Sequence, residues 1–310
     1  MQKITWVLPL LLLLFLLAGV WLANYFVDYA LRRMPDKPPA AAAVIMDVDL
    51  PPPAPLAARA EPWEWQAPWG VRCAATAFYA SPPAHRWIIF VHGYGRDGRY
   101  TWDYARPFLA AGWNVLAPDL PAAGRSEGEY ITMGVRESAA VVAWAQEIAA
   151  RDGEAEIALH GLSMGAASVI LAAASADLPP QVKAAIEDCG YTDAYEMYRL
   201  ELKRLYGLPE FPALLCFDAM VRHKTGSSLR EAAPLAIVSR VRVPLLFVHG
   251  TEDGLTPLAM EKALYEAAPP AKAEFIVTGA GHAAARQQDA EAYDRALFSF
   301  LAPYFREGVD

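Results

Sequence analysis

The sequence is poor in the residues from which several kinds of functional site are built. It has only three cysteines among 310 residues, Cys73, Cys189 and Cys216, and they lie far apart. Such spacing fits neither a disulfide scaffold nor a zinc knuckle, so we expect small buried side chains at these positions. The motifs H-E-x-x-H, C-x-x-C and G-x-x-x-x-G-K-[ST] are all missing. We therefore expect no metal ion and no other cofactor.

Clusters of basic residues are missing as well. The chain carries 27 lysines and arginines against 35 aspartates and glutamates, a formal net charge of -8 at pH 7. Proteins that bind nucleic acids neutralise phosphates with a basic patch or stripe, which this chain does not offer. We expect no nucleic-acid partner.

A long uncharged segment lies at the N-terminus. Residues 4–27 carry no charge, and these 24 residues exceed both the ~20 that span a bilayer and the ~7–15 of a signal-peptide core. We predict a single-pass membrane anchor over residues 1–33, with a cleaved signal peptide and a buried helix as the alternatives. Arg32, Arg33 and Lys37 outweigh the positive charges before the segment, which favours a cytoplasmic catalytic domain.

A proline-rich segment follows the apolar one. Nine of the 25 prolines fall within residues 34–68, where they are interleaved with alanines. This composition predicts a semi-extended tether, or a strap along the surface of the next domain. Trp63, Trp65 and Trp69 favour docking of its last third, because a free linker seldom carries three tryptophans. We place the globular domain at residues 69–310.

Beyond the tether, short apolar runs alternate with helical patterns. This alternation indicates βαβ units and a mainly parallel sheet flanked by helices, which is the α/β class. The predicted strands are Thr76–Tyr79, Trp87–Val91, Asn114–Ala117, Glu156–Leu159, Ala184–Glu187, Leu245–Val248 and Glu274–Val277. The predicted helices are Thr101–Ala111, Val135–Arg151, Met164–Ala176, Leu258–Ala268 and Ala290–Phe305.

The alternation lapses at about residues 190–240, where aromatic and aliphatic residues occur among charges. We predict a small helical cap over the active site in this segment. Its aromatic side chains either line an acyl pocket or pack the cap on the body, and we expect most of them to pack.

The clearest chemical signal is the stretch Gly161-Leu162-Ser163-Met164-Gly165, which joins an apolar strand-like run to a helical run of small residues. A serine on a sharp strand-to-helix turn has a strained backbone, and flanking glycines let neighbouring chain approach it. The turn exposes the hydroxyl and directs the amide of Met164 toward a developing oxyanion. We predict Ser163 as a nucleophile.

A serine nucleophile needs a base, and the chain offers six histidines. His282 lies in a glycine-flanked loop before the last helix, where a base can reach back over the sheet. His92, His160 and His249 each end a strand just before a glycine, which suits buried structural histidines. We predict His282 as the base.

The acid that orients His282 has more than one candidate. Asp253 follows the penultimate strand and is our prediction, with Glu252 and Asp188 as the alternatives. Asp119 has a different role, because its position favours backbone hydrogen bonds to the turn that follows it.

The order of serine, aspartate and histidine resembles the α/β-hydrolase superfamily, as does the loop His92-Gly93-Tyr94-Gly95 after an apolar strand. The chain is most similar to bacterial, often membrane-anchored hydrolases related to the S9 and S33 serine peptidases, over roughly residues 70–306. The resemblance implies the α/β-hydrolase fold and an oxyanion hole formed by the amides of Tyr94 and Met164. Anchored relatives are commonly extracytoplasmic, which conflicts with the charge rule and leaves the side of the membrane open.

Together these features predict a membrane-anchored serine hydrolase that cleaves an acyl bond of a small molecule, with an ester as the preferred class, through an acyl-enzyme. A peptidase or aminopeptidase of the same fold is the alternative, in which Glu196 or Glu201 of the cap holds a substrate α-ammonium. An acyltransferase would use the same triad. A catalytically silent, membrane-tethered binding module is the alternative from another class, because a fold alone does not establish activity.

Overall fold

The computed structural model describes residues 7–33 and 60–306. Its strands are β1 (Ala60–Gln66), β2 (Arg72–Phe78), β3 (Arg86–Val91), β4 (Asn114–Asp119), β5 (Glu156–Leu162), β6 (Val182–Asp188), β7 (Leu245–Gly250) and β8 (Lys272–Val277). They form one sheet in the order β1-β2-β4-β3-β5-β6-β7-β8. The pairs β1–β2 and β2–β4 are antiparallel, and every pair among β3 to β8 is parallel.

Helices cover both faces of this sheet. The helices of the described residues are α1 (Val7–Leu31), α2 (Trp102–Ala110), α3 (Val135–Arg151), α4 (Met164–Ala173), α5 (Ala194–Tyr206), α6 (Ala213–Thr225), α7 (Pro234–Ile237), α8 (Leu258–Ala267), α9 (Ala285–Gln288) and α10 (Ala290–Leu301). Every residue of β4, β5 and β7 is buried, as expected for parallel strands between two helical layers. Side chains of β3 alternate between two apolar cores, with Ile89 in one and Phe90 in the other.

The predicted α/β-hydrolase fold is confirmed, and the seven predicted strands correspond to β2 through β8. The five predicted helices correspond to α2, α3, α4, α8 and α10. The segment predicted as a cap lies between β6 and β7 and contains α5, α6 and α7. Parallel strands end at one edge of the sheet, so the loops after β3, β5, β7 and β8 meet there.

The sheet has a strand that the sequence pattern did not predict. Residues 60–66 form β1, so the body begins before the predicted boundary at residue 69, while residues 34–59 of the predicted tether lie outside the described residues. Trp63 is buried and packs on Trp87 with ring centroids 5.6 Å apart, but most of its neighbours in β1 are exposed. Such an edge strand also tolerates Pro62, so its sequence carries little of a strand pattern.

Helix α1 is the one helix of the described residues that is long and apolar enough to cross a membrane, with a mean hydropathy of 2.3 over the best window of Pro9–Leu31. Its last turns contact the body. Val27 and Leu31 are fully buried, and Leu31 accepts a backbone hydrogen bond of 2.8 Å from Ile131. The predicted anchor is therefore in direct contact with the enzyme body at its C-terminal end.

Candidate active site

Ser163 lies at the turn between β5 and α4 in a strained backbone conformation, with φ 57° and ψ -115°. A Cβ added at Gly161 would lie 2.2 Å from the carbonyl oxygen of Gly165, and one added at Gly165 would lie 2.1 Å from that of Val91. No side chain fits either space. Strain of this kind costs on the order of 1–3 kcal/mol and persists only where the surroundings impose it. The turn holds the serine hydroxyl at the carboxyl edge of the sheet.

The three predicted triad residues form a hydrogen-bonded relay. Ser163 Oγ lies 2.8 Å from His282 Nε2, and His282 Nδ1 lies 2.7 Å from Asp253 Oδ2. Asp253 is fully enclosed, whereas the His282 side chain keeps 16% of its surface exposed. The geometry matches that of a nucleophile, a base and an orienting acid.

The carboxylate of Asp253 is fixed by the loop that follows it. The backbone N–H groups of Leu255 and Thr256 each donate to Oδ1 at 2.9 Å, and the Thr256 hydroxyl donates to Oδ2 at 2.9 Å. Burial alone would raise the pKa of Asp253, but the hydrogen bond from His282 and the backbone bond from Thr256 lower it below its usual value. The acid is therefore held ionised. Thr256 is a positioning residue that the sequence reasoning missed.

The two alternative acids have other surroundings. Asp188 accepts a hydrogen bond of 2.7 Å from the hydroxyl of Tyr293, which in turn lies 2.7 Å from His160 Nε2. Burial raises the pKa of Asp188 to about 7. Glu252 is exposed. Neither residue replaces Asp253 as the partner of His282 in this structure.

The loop after β3 lies against the serine. A Cβ added at Gly93 would lie 3.4 Å from Ser163 Cβ, so the chain passes close to the serine immediately before Tyr94. Met164 begins α4, and the partial positive charge of a helix N-terminus favours a developing oxyanion at its amide. Residues 93–98 have the glycine spacing of a dinucleotide-binding loop, but the contact of Gly93 with Ser163 assigns the loop to the serine site.

The side chain of Tyr94 makes a contact that no sequence pattern indicated. Its hydroxyl donates a hydrogen bond to the carbonyl oxygen of Ala30, in the last turn of α1. Burial raises the pKa of Tyr94 to about 12, so the phenol stays protonated and can donate. Tyr94, whose amide is predicted to stabilise an oxyanion, is therefore hydrogen-bonded through its side chain to the predicted membrane helix.

The three histidines predicted as structural are buried and hydrogen-bonded. His92 Nε2 accepts from the backbone N–H of Leu120 at 3.0 Å, and His249 Nε2 lies 2.7 Å from the carbonyl oxygen of Thr256. Burial lowers the pKa of both, and lowers that of His160 to about 3. All three are neutral at physiological pH and hold the loops around the site.

Asp119 has the role predicted for it. Its carboxylate accepts hydrogen bonds from the backbone N–H of Arg125 at 3.1 Å and from that of Gly98 at 2.8 Å. These bonds fix the turn that follows β4 and the start of the short helical turn before α2.

Among the described residues, one cluster has the composition of a metal site. Candidate ligand atoms of Cys189, Asp253 and His282 lie within 4.8 Å of one another. Burial raises the pKa of the Cys189 thiol well above its usual value, so it is not the thiolate that binds metals. The other two candidate ligand atoms, Asp253 Oδ2 and His282 Nδ1, are hydrogen-bonded to each other at 2.7 Å. The cluster fits a triad with a neighbouring thiol.

Known proteins share this fold, and some are similar in sequence. The model of the alpha/beta hydrolase family matches residues 88–296. Over 217 residues the chain is 30% identical to the uncharacterized protein YqkD of Bacillus subtilis (strain 168), which covers 69% of this chain and 70% of YqkD. The esterase Pf2001 of Pyrococcus furiosus superposes with a TM-score of 0.64 at 22% identity, over 80% of this chain and 92% of the esterase.

A monoacylglycerol lipase of Paleococcus ferrophilus superposes with a TM-score of 0.58 at 21% identity, over 75% of this chain and 99% of the lipase. At these identities the two structures carry the fold and nothing finer. The residues that the family model matches contain the positions of Ser163, Asp253 and His282. The chain belongs to the alpha/beta hydrolase family.

Proposed function

We propose that the protein is a membrane-anchored serine hydrolase that cleaves acyl esters through an acyl-enzyme intermediate. The observation that carries the proposal is the pair of hydrogen bonds from Ser163 Oγ to His282 Nε2 at 2.8 Å and from His282 Nδ1 to Asp253 at 2.7 Å. A serine hydroxyl is a weak nucleophile unless a positioned base takes its proton, and this relay supplies the base in the required orientation.

In the proposed reaction, Ser163 Oγ attacks the ester carbonyl while its proton passes to His282 Nε2. The amides of Tyr94 and Met164 stabilise the tetrahedral oxyanion, and Asp253 stabilises the imidazolium. The intermediate collapses to the acyl-enzyme as His282 donates its proton to the departing alcohol. Water then loses a proton to His282, attacks the acyl carbonyl and releases the carboxylic acid with Ser163 restored.

An ester is preferred over a peptide because the cap lacks free acids at the positions considered for a substrate α-ammonium. Glu196 is paired with Arg199 at 2.5 Å, and Glu201 is paired with Arg204 at 2.6 Å, each within α5. Their charges are already compensated by neighbouring guanidinium groups.

The anchor is supported by the contacts of α1. Lys224 Nζ lies 2.5 Å from Asp28 Oδ1, and Tyr130 donates to the same carboxylate at 2.6 Å. The side chain of Arg33 donates to the carbonyl oxygen of Gly124 at 2.5 Å. Cleavage of α1 as a signal peptide would remove these bonds and uncover the apolar face that Val27 and Leu31 occupy. We therefore favour an uncleaved helix.

Two measurements on the full chain in detergent test the proposal. A fluorophosphonate should label the wild type and not the Ser163→Ala variant. In matched assays, p-nitrophenyl butyrate should give a higher kcat/KM than an aminoacyl p-nitroanilide. A preference for the anilide would make the protein a peptidase, and a wild type that resists labelling and turns over neither substrate would make it a silent binding module.

A further inference from the structure

The large hydrophobic side chains that are exposed in the described residues are concentrated in two segments. All but two of them lie either on α1 or in the cap between the end of α5 and the start of α6. The second group, which we name the cap tip, reaches 70% exposure at Phe211 and consists of Leu205, Tyr206, Leu208, Phe211 and Leu215. Large apolar side chains that are exposed close together in the chain are candidates for contact with another molecule or a membrane.

The cap tip lies beside the predicted membrane helix. Helix α6 is the cap element that packs along α1, and Lys224 at its last turn pairs with Asp28. The buried face of α1 continues from Leu31 back through Val27 to Ala23, one residue for each turn. Helix α6 is the element that packs on α1, and Ala23 lies more than a turn before Asp28, so the burial of Ala23 places the residues of α6 before Lys224 toward the N-terminal half of α1.

This arrangement gives the height of the cap tip along α1. From Lys224 back to Ala213, at 1.5 Å for each residue, α6 extends about 16 Å. With the two axes taken as parallel, the same distance back along α1 from Asp28 reaches roughly Leu17. The cap tip immediately precedes Ala213 and includes Leu215, so it lies beside the apolar, exposed part of α1.

Aromatic residues on α1 indicate where the membrane surface would lie. Trp21, Tyr25 and Tyr29 are exposed and stack on one face, with ring centroids 5.9 Å and 6.4 Å apart. Tryptophan and tyrosine collect at the level of the lipid headgroups. Leu17 lies further into the apolar part of α1 than these three rings. The cap tip, which is beside Leu17, is therefore at the depth of the lipid acyl chains.

We propose that the cap tip inserts into the same leaflet as α1, and that the enzyme takes from that leaflet an ester with a long, membrane-partitioned acyl chain. The inference rests on the proposed function, because it needs both the anchor and the acyl-ester chemistry. The loop after β3 supports it, since the Tyr94 hydroxyl is hydrogen-bonded to the carbonyl oxygen of Ala30 at the end of α1, which places the serine site near the membrane surface.

The charges around the cap tip are compatible with an interfacial position. Lys203 lies in the last turn of α5, beside the cap tip, and can contact lipid phosphates. Glu210 is the one acid within it, and its carboxylate lies 3.9 Å from Arg199. The pairing lowers the free-energy cost of placing this acid near the headgroups.

Insertion is measured with the thiol that the chain already has. Cys216 is exposed next to Leu215, whereas Cys73 and Cys189 are buried, so a nitrobenzoxadiazole probe can be attached at Cys216 in the full chain. In phosphatidylcholine vesicles, brominated acyl chains should quench this probe at least about threefold more than a probe at Arg295→Cys in a Cys216→Ser background. Arg295 is exposed on α10, which packs on the other core of the sheet. Equal quenching at the two positions would overturn the proposal.

Substrate access is measured with a double variant, Leu208→Ser with Phe211→Ser, reconstituted in vesicles. We expect kcat/KM for p-nitrophenyl palmitate in the bilayer to fall about tenfold, mainly through KM, with p-nitrophenyl butyrate in solution unchanged. The matched control replaces the two exposed apolar residues outside both segments, Leu235→Ser with Tyr304→Ser, and should alter neither substrate. A thermal unfolding curve confirms that the variants fold.

An equal fall on both esters would show that the cap tip shapes the catalytic site, and no fall on either would show that it has no role in access. Each result contradicts the proposal. Failure of the proposed function has a different signature, because the wild type would then cleave neither ester and resist a fluorophosphonate. Release of the full chain from vesicles by carbonate would refute the anchor and, with it, the insertion of the cap tip, while leaving the ester chemistry of the proposed function in place.

Discussion

Replacement of Asp253 by asparagine tests the assignment of the acid, and the structure dictates how the amide must sit. Oδ1 of Asp253 accepts from two backbone N–H groups, those of Leu255 and Thr256, so the asparagine has to place its carbonyl oxygen there. Its NH2 group then replaces Oδ2 and donates to His282 Nδ1. The proton of the neutral imidazole moves to Nε2, which faces Ser163 and can no longer accept the serine proton.

The expected loss follows from this change of tautomer. The equivalent substitution in a serine protease triad lowers kcat by about ten-thousand-fold, which corresponds to roughly 5 kcal/mol of transition-state stabilisation. We expect a loss of this order for Asp253→Asn, with the fold retained. The matched control is Asp188→Asn, whose side chain can still accept the 2.7 Å hydrogen bond from Tyr293. We expect that variant to keep activity within about tenfold of the wild type.

The assay is steady-state hydrolysis of p-nitrophenyl butyrate by the full chain, with thermal unfolding of each variant as the check on folding. If Asp253→Asn turned over near the wild-type rate while Asp188→Asn was inactive, the acid would be on β6 and our reasoning about His282 would be refuted.

Three further predictions concern stability and the contacts of α1. The Tyr94→Phe variant leaves the Ala30 carbonyl without its donor, so we expect the free energy of unfolding in urea to fall by about 1–3 kcal/mol and kcat to fall several-fold; unchanged stability would contradict the contact. Deletion of residues 1–33 should lower the melting temperature in detergent, because burial of Val27 and Leu31 contributes about 1.5–3 kcal/mol each; an unaltered melting temperature would show that α1 is only a tether. Burial raises the pKa of Asp188 from 3.8 to about 7, so the native state keeps a proton that the unfolded chain releases, and wild-type stability should decrease as the pH rises between these values. Asp188→Asn should reduce that decrease in urea unfolding at pH 5 and pH 8, and an identical slope in both proteins would contradict it.

The sequence predicted the parts of the site that depend on local geometry. The glycines around Ser163 are required because neighbouring backbone comes within 2.2 Å of where their side chains would be, and that constraint is readable from five residues. His282 and Asp253 could be assigned by chain order, since parallel strands end at one edge and their loops converge there. Strands β2 through β8 could be located because strands buried between two helical layers are short apolar runs, which is also a local pattern.

The features that escaped prediction depend on contacts between distant segments. Asp28 and Lys224 are 196 residues apart, and no local pattern reports that a helix suited to a membrane also docks on the cap. Strand β1 exposes most of its side chains, so only Trp63 carries a signal of burial. The cap aromatics were expected to pack or to line a pocket. Tyr191 and Tyr195 are buried, whereas Tyr206 and Phe211 are exposed.

Covalent labelling of Ser163 is the most direct test of the account. The full chain, treated with a fluorophosphonate and digested, should carry a single adduct on the peptide that contains Ser163. The adduct should be absent from the Ser163→Ala variant, whose esterase activity should fall on the order of a million-fold. An adduct on another residue, or labelling that persists in Ser163→Ala, would contradict the claim that Ser163 is the nucleophile.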